Sequence, residues 1–445
     1  MTSPETIFAL ATPQGRSGVA VVRLSGPSAG AVLQKITDGR LPPGRKAVLR
    51  SVRDPETGEV LDSALILWFP APGSFTGEDV AELHLHGGRA VIAAVMQVLS
   101  RQPGLRLAEP GEFTRRAFLA GKMDLTSVEG LADLIDAETE VQRRQALRQM
   151  GGALSALYEG WRARLLRVLA HAEAIIDFPD EDLPEETNAH LRAGVMALLE
   201  EIDAHLADSR RGERLREGIR VAIIGPANAG KSSLLNWLAG RDAAIVSATA
   251  GTTRDVIEVH LDLGGYPVLL ADTAGLRETV DALEEEGIRR ARRWAQDADY
   301  RILLLDGAAY DERQAAEFTS QENPSLVAVN KSDLMMSWPT SATAVGETLS
   351  VSVKSGQGMA NFLARLELEV AHLAAPGEAP ALTRIRHRMA LESARESLMR
   401  FLQAPSPDLA AEDLRLAVRE IGRITGRVDV EDLLDVIFRD FCLGK

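Results

Sequence analysis

Eight consecutive residues, Gly225-Pro226-Ala227-Asn228-Ala229-Gly230-Lys231-Ser232, fit the phosphate-loop pattern G-x-x-x-x-G-K-[ST]. Glycines let backbone N–H groups crowd around phosphate oxygens, and the helix that should open after them adds favourable positive potential. Lys231 has the reach for β- and γ-phosphates. The Ser232 hydroxyl suits Mg²⁺, and Ser233 extends the same turn. A glycine-rich turn with no ligand is the alternative. The apolar run before the motif and the helical pattern from Ser233 onward argue against it.

Asn330-Lys331-Ser332-Asp333 stands roughly 100 residues downstream, at the end of an apolar run, and matches the N-K-x-D element of GTPases. A carboxylate accepts two hydrogen bonds from the N–H groups on the guanine edge. Adenine offers no such pair, so Asp333 disfavours an ATPase. Ser352-Val353-Lys354 resembles a last base-contacting loop, with Val where Ala is more usual. Gly251-Thr252-Thr253-Arg254-Asp255 offers Thr253 as a second Mg²⁺ ligand. Asp272-Thr273-Ala274-Gly275 offers Asp272 to the Mg²⁺ shell and the Gly275 N–H to a γ-phosphate. Many GTPases follow this glycine with a glutamine that orients the attacking water. Here the residue is Leu276, so another group must do it. Glu278, Asp281, Glu284, Glu285 and Glu286 are within reach along the chain, and each also reads as a solvated acidic residue opening a helix.

The elements that must position these residues follow from periodicity. Segments 221–224, 257–263, 268–271, 302–306, 326–330 and 349–353 read as strands, most of them separated by helical segments. That alternation predicts a doubly wound α/β sheet. Gly264-Gly265 between two runs predicts an antiparallel hairpin at its edge. Residues 1–120 carry short β-like runs at 19–24 and 64–69, turn clusters, and a helical pattern from 86 to 99, which together read as α+β. Residues 121–217 are helical, with Leu165, Leu166, Leu169, Ala172 and Ile176 assigned to one face. Residues 218–374 hold the α/β unit. Residues 375–445 return to helix, with Leu414, Ala417, Val418, Ile421 and Ile424 on one face and Leu434, Ile437, Phe438 and Phe441 on another. The economical arrangement is a discontinuous helical domain interrupted by an inserted α/β domain.

With 445 residues the chain suggests about three domains. Its net charge of −14 does not read as a non-specific nucleic-acid binder, so any RNA contact needs a local basic patch or a partner. Clusters at Arg210-Arg211, Arg214, Arg216, Arg220 and at Arg384-Arg386-His387-Arg388 could touch phosphates or could be ion-paired helix faces. A single cysteine, Cys442, fits a reducing compartment, and no run is long and apolar enough to span a membrane, so a soluble cytoplasmic protein is expected.

Beyond the GTPase core, the chain carries Ala11-Thr12-Pro13, the run from Gly18 to Gly26, Ser74-Phe75-Thr76-Gly77-Glu78-Asp79, Pro110-Gly111-Glu112-Phe113-Thr114 and the terminal Phe441-Cys442-Leu443-Gly444-Lys445. Together these resemble the tRNA uridine-modification GTPases of the MnmE (TrmE) family over essentially the whole length. The resemblance implies an N-terminal dimerisation domain that is similar to folate-dependent aminomethyltransferases and takes a 5-formyl- or methylene-tetrahydrofolate donor. It also implies a discontinuous helical domain with an inserted Ras-like domain that hydrolyses GTP, and a homodimer whose G domains pair with the help of K⁺. A partner, MnmG (GidA), would carry FAD and use NADH. With that partner, the family builds an aminomethyl or carboxymethylaminomethyl group on C5 of the wobble uridine of certain tRNAs.

By the same resemblance, Asn228 and the carbonyls of Ser247, Thr249 and Thr252 hold K⁺, within the loop that also includes Ala248, Ala250 and Gly251. Glu284 matches the water-orienting carboxylate. Arg23, Glu82, Lys122 and Lys445 match folate-contacting positions, Arg23 and Lys122 suiting glutamate carboxylates and Glu82 the pterin. On composition alone these are ordinary surface charges. Cys442 reads both as a small packed hydrophobe and as a chemical or positioning group beside Lys445. A switch or assembly GTPase without modification chemistry stays open, because the phosphate loop and N-K-S-D fit it equally.

Overall fold

The computed structural model describes residues 5–177, 185–208, 210–240, 258–272, 294, 296–313, 315–316, 320, 325–335, 348–375, 377, 379–428, 434, 437–438, 441 and 444. It divides into two compact units. One comprises Met1–Ala132, Gln149–Ala163 and Val418–Lys445, the other Asp133–Arg148 and Arg164–Ala417.

The first unit is built on a six-stranded sheet of order β3-β4-β5-β2-β1-β6. Its strands are β1 (Thr6–Leu10), β2 (Ser17–Ser25), β3 (Val48–Arg53), β4 (Val60–Phe69), β5 (Val80–Gly87) and β6 (Leu105–Leu107). All neighbours are antiparallel except β1 and β6. Helices α1 (Ala29–Ile36) and α2 (Arg89–Ser100) contribute Leu33, Ile36, Val98 and Leu99 to a core shared with Val22, Leu24, Ile66, Leu83 and Leu85. The two-residue strand period sends Arg23 and Glu82 to the opposite face. There α3 (Glu112–Leu119) places Phe113 against Ile7, Ala9 and Ala108. The helical pattern expected from residue 86 is corrected: 82–87 alternate as the end of β5, and α2 begins at Arg89, after Gly87 and Gly88 release the chain.

Helices α4 (Leu125–Asp136), α5 (Glu140–Met150), α6 (Ala153–Asp177), α7 (Glu185–Leu206) and α8 (Arg211–Glu217) follow. On α6, Leu165, Leu169 and Ala172 are buried, but Leu166 is 39% exposed. At 100° per residue it falls outside the stripe to which the sequence reading assigned it. In the first unit, Leu434, Phe438 and Phe441 pack on Leu125 and Val128 of α4 as one cluster.

The second unit holds a six-stranded sheet of order β12-β11-β10-β7-β9-β8. Its strands are β7 (Ile219–Ile224), β8 (Glu258–Leu263), β9 (Tyr266–Asp272), β10 (Tyr300–Asp306), β11 (Leu326–Asn330) and β12 (Thr348–Ser350). Only β8 runs antiparallel, joined to β9 through Gly264-Gly265 at the edge, as the sequence predicts. The inner strands β7, β9, β10 and β11 are covered on both faces and are near-continuous apolar runs, whereas edge strand β8 alternates polar and apolar residues. Val221, Ile223, Ile302 and Leu304 face α9 (Lys231–Ala239) and α10 (Met359–Ala374), while Ala222, Ile224, Leu303 and Leu305 enter a second core. Leu215 of α8 joins the first of these cores. Two long helices, α11 (Ile385–Gln403) and α12 (Pro407–Thr425), follow, with Leu414, Ala417, Val418, Ile421 and Ile424 all buried.

Candidate functional site

In the second unit the loop from Gly225 to Gly230 leaves the C-terminal end of β7, in the middle of the sheet, and delivers the chain into α9. Such a strand end is where parallel α/β sheets bind ligands. Gly230 caps α9 at φ +98°, and a Cβ there would stand 2.3 Å from Asn330 Nδ2, so only glycine fits. Asn228 is also left-handed, at φ 64°. Lys231, 7% exposed, donates to the carbonyls of Gly225 and Pro226, each at 2.8 Å. Its ammonium is thus held inside the curl of the loop. Ser232 and Ser233 occupy the first turn of α9.

Asn330 ties this loop to the other end of the motif set. Its buried Nδ2 donates to Ala229 O at 2.9 Å, and its Oδ1 accepts from Val353 N at 3.1 Å. Ser352, fully buried, donates from Oγ to Asp333 Oδ1 at 2.6 Å and accepts from Ser355 N at 3.2 Å. Asp333 itself is exposed, and Lys354 lies on the turn over residues 353–355 that follows Ser352. Lys331, left-handed at φ 62°, meets the Asp306 carboxylate at 2.5 Å. The register pairs Asp272 with Ile223, placing the backbone of β9's last residue beside the strand that feeds the phosphate loop. Asn228, Ala229, Gly230, Lys231, Asn330, Lys331, Asp333, Ser352, Val353 and Lys354 therefore lie on loops, or on the strand and helix ends that adjoin them, at one end of one sheet. Ser247, Ala248, Thr249, Ala250, Gly251, Thr252, Thr253, Thr273, Ala274, Gly275 and Glu284 lie outside the described residues.

The first unit brings two of the four expected folate positions together. Antiparallel register sets Arg23 opposite Glu82, and Arg23 Nε meets Glu82 Oε1 at 2.9 Å. His84 Nε2 faces Glu82 Oε2 at 3.3 Å. The Arg23 guanidinium lies 5.6 Å from the centroid of the Phe113 ring, a cation–π distance. Lys122 is not part of this pair; it donates to the Pro72 carbonyl. Gly444 approaches from the chain end, its carbonyl 3.4 Å from Arg23 Nη1. At φ +90°, a Cβ on Gly444 would sit 2.3 Å from Leu10 O, which explains a glycine there. Cys442 and Lys445 lie outside the described residues.

A second charged group in this unit encloses Arg116, 7% exposed. Its guanidinium donates to Glu78 at 2.9 Å, to Glu112 at 3.0 Å and to the carbonyls of Glu5 and Ser25 at 3.1 and 3.3 Å. Burial pushes the Glu112 carboxyl up, but hydrogen bonds from Arg106, the Glu109 N–H and Arg116 outweigh it and hold it below the usual 4.5. The cluster borders a cavity of about 390 Å³ between Gly77, Pro110, Leu119 and Phe438.

Five arginines of the basic clusters are ion-paired in place. Arg210 and Arg388 share Glu213 at 2.6 and 3.0 Å, Arg216 and Arg384 share Asp133 at 3.0 and 2.7 Å, and Arg214 meets Asp299 at 2.7 Å. Of their two sequence readings, ion-paired helix faces describes these five. Sequence reasoning passed over Asp306, His84 and Phe113. The signal for Asp306 was a lone carboxylate ending a buried strand; for His84, it was the alternation that puts it on the face of Glu82.

Comparison with known proteins adds an independent finding. A model described as the GTP-binding protein TrmE N-terminus matches residues 6–122, and one described as the MnmE helical domain matches 125–442. A tRNA modification GTPase MnmE of Parvibaculum lavamentivorans is 57% identical over 445 residues, covering 99% of this chain and 100% of that one. The protein of the same name from Paramagnetospirillum magneticum is 55% identical, with the same coverage. The mitochondrial 5-taurinomethyluridine-[tRNA] synthase subunit GTPB3 of Danio rerio is 49% identical, covering 99% of this chain and 93% of that one.

Proposed function

This chain belongs to the MnmE family of tRNA modification GTPases, and on that premise we propose that it works as a K⁺-activated homodimer. With an FAD-containing, NADH-using partner (MnmG, GidA) it installs an aminomethyl or carboxymethylaminomethyl group at C5 of the wobble uridine of certain tRNAs. The observation that carries the nucleotide half is the Asn330 side chain, which braces the phosphate loop at Ala229 and the base loop at Val353 together. The relatives' names support the tRNA half.

On this reading Lys231 and the loop N–H groups bind the phosphates, Ser232 with Thr253 holds Mg²⁺, and Asp333 reads guanine. Asn228 and the carbonyls of Ser247, Thr249 and Thr252 hold K⁺, which supplies the positive charge an arginine finger supplies elsewhere. Glu284 orients the attacking water that Leu276 cannot. Gly275 and Asp272 sense the γ-phosphate and its metal, and GTP hydrolysis drives opening and closing of paired G domains. Arg23, Glu82, Lys122 and Lys445 take the tetrahydrofolate, which supplies the one-carbon unit. An ion pair over an aromatic ring fits a flat heterocycle that both donates and accepts hydrogen bonds, as a pterin does. Cys442 acts at that donor. Residues 1–120 form the dimerisation and folate domain, 121–217 and 375–445 the helical domain, and 218–374 the G domain. No described helix is long and apolar enough to cross a membrane, and we assign the protein to the cytoplasm.

A switch or assembly GTPase would share the nucleotide cluster but needs no folate pocket. Titration with 5-formyltetrahydrofolate separates the two. Saturable binding that Arg23→Ala abolishes is expected, and no binding at high micromolar ligand would favour the switch. Turnover assayed with K⁺ against Na⁺ tests the ion. Potassium is expected to be required, and equal rates would remove that part of the proposal.

A further inference from the structure

We infer that Asp306 is a positioning residue for base binding: it anchors the ammonium of Lys331 and so fixes that residue's four-carbon stem as a wall for the flat face of the nucleotide base. The inference rests on reading this cluster as a guanine-nucleotide site.

Asp306 ends β10, whose preceding residues Ile302, Leu303, Leu304 and Leu305 are all buried. A carboxylate at the end of such a run needs partners, and it has two. Oδ1 accepts from Ala308 N at 3.0 Å, which fixes the carboxylate on its own turn. Oδ2 accepts from Lys331 Nζ at 2.5 Å. The backbone makes this meeting repeatable: the parallel register pairs Asp306 with Asn330, and Gly307 N donates to Asn330 O at 2.8 Å. The Asp306 and Lys331 side chains are 15% and 32% exposed, so the pair is partly shielded from water. A lysine ordinarily keeps its rotamers until something holds its head, and its stem readily covers apolar surface. Lys331 is also left-handed, at φ 62°, a conformation few non-glycine residues adopt. Asp333, two residues on, sits on the short 3₁₀ turn Ser332–Leu334 that follows. Anchoring Lys331 therefore orders its stem beside the carboxylate that reads the base edge, before nucleotide arrives. Asp333 decides which base is bound; Asp306 decides how well any purine is gripped.

Equilibrium binding of fluorescent GDP and IDP to the full chain tests this. Asp306→Asn keeps an acceptor for Ala308 but loses the charge. Both affinities are expected to fall together by about five- to tenfold, as for a partly exposed ion pair, with the GDP-to-IDP ratio unchanged. Asp306→Glu should restore binding to within about twofold. On a Lys331→Met background, which keeps a stem and has no charge to anchor, Asp306→Asn should cost nothing further. Wild-type affinity in Asp306→Asn, a loss confined to GDP, or additive losses in the double variant would overturn the inference. Absence of GDP binding by the wild type would instead sink the nucleotide-site reading on which it stands.

Discussion

At the scale of single residues, the proposed base discrimination rests on Asp333. One of its oxygens is held by the Ser352 hydroxyl at 2.6 Å, which fixes the carboxylate plane while the residue stays exposed to a ligand. A site that needs two donors from the base rejects a base lacking them by more than a tight fit could. Asp333→Asn reverses one hydrogen-bond polarity. Competition binding should show GTP affinity falling by at least about a hundredfold while xanthosine triphosphate gains. Retained GTP preference would contradict the assignment of the base loop. Asn330 is a different case. It was legible in the sequence as part of a motif, but its bracing role depends on Ala229, 101 positions earlier, and on Val353, 23 positions later. Only the folded sheet brings these together. Asp306 was illegible for the same reason: its partner is 25 positions away, and nothing in the spacing announces the pair.

At the scale of elements, the strands of the second sheet were easier to read than those of the first, where only the runs 19–24 and 64–69 were read and β1, β3, β5 and β6 were missed. The buried strands of the second sheet are continuous apolar runs because both faces are covered, and that signal survives without knowledge of the partner strands. The β5–α2 junction misled, since Glu82-Leu83-His84-Leu85-His86 alternates only if one sees that the open face may be polar. Helix α3 shows what sequence could not give at all. It is anchored by Arg116, whose guanidinium carries Glu78 and Glu112 with little access to water. Arg116→Met removes the buried guanidinium that partners buried Glu112 and partly buried Glu78, and a destabilisation of about 3–5 kcal/mol is expected in denaturant unfolding. The pH dependence has a definite sign. Glu112 titrates below its ordinary 4.5 in the folded chain, so its contribution is fully present above about pH 4.5 and is lost as pH falls through the lower folded value. Unfolding midpoints should therefore drop below pH 4.5 in the wild type, with a shallower acid limb in Glu112→Gln. Identical limbs would show that the carboxylate is not held as described.

At the scale of the whole molecule, one chain carries a nucleotide cluster in one unit and the Arg23–Glu82 pair in the other. The order of motifs made the α/β unit legible, and the flanking helical segments made the interruption legible. The ion-paired fate of the arginine clusters was not, because Asp133, Glu213 and Asp299 are ordinary residues until the helices bring them to Arg216, Arg388 and Arg214. The central claim is that GTP turnover and one-carbon chemistry serve a single modification, so disabling either should abolish it. The most direct measurement is mass analysis of tRNA nucleosides from a strain lacking this chain and carrying the wild type, Lys231→Ala or Arg23→Ala. The account predicts full C5-modified wobble uridine with the wild type and its loss with each variant; normal levels with either variant would contradict it.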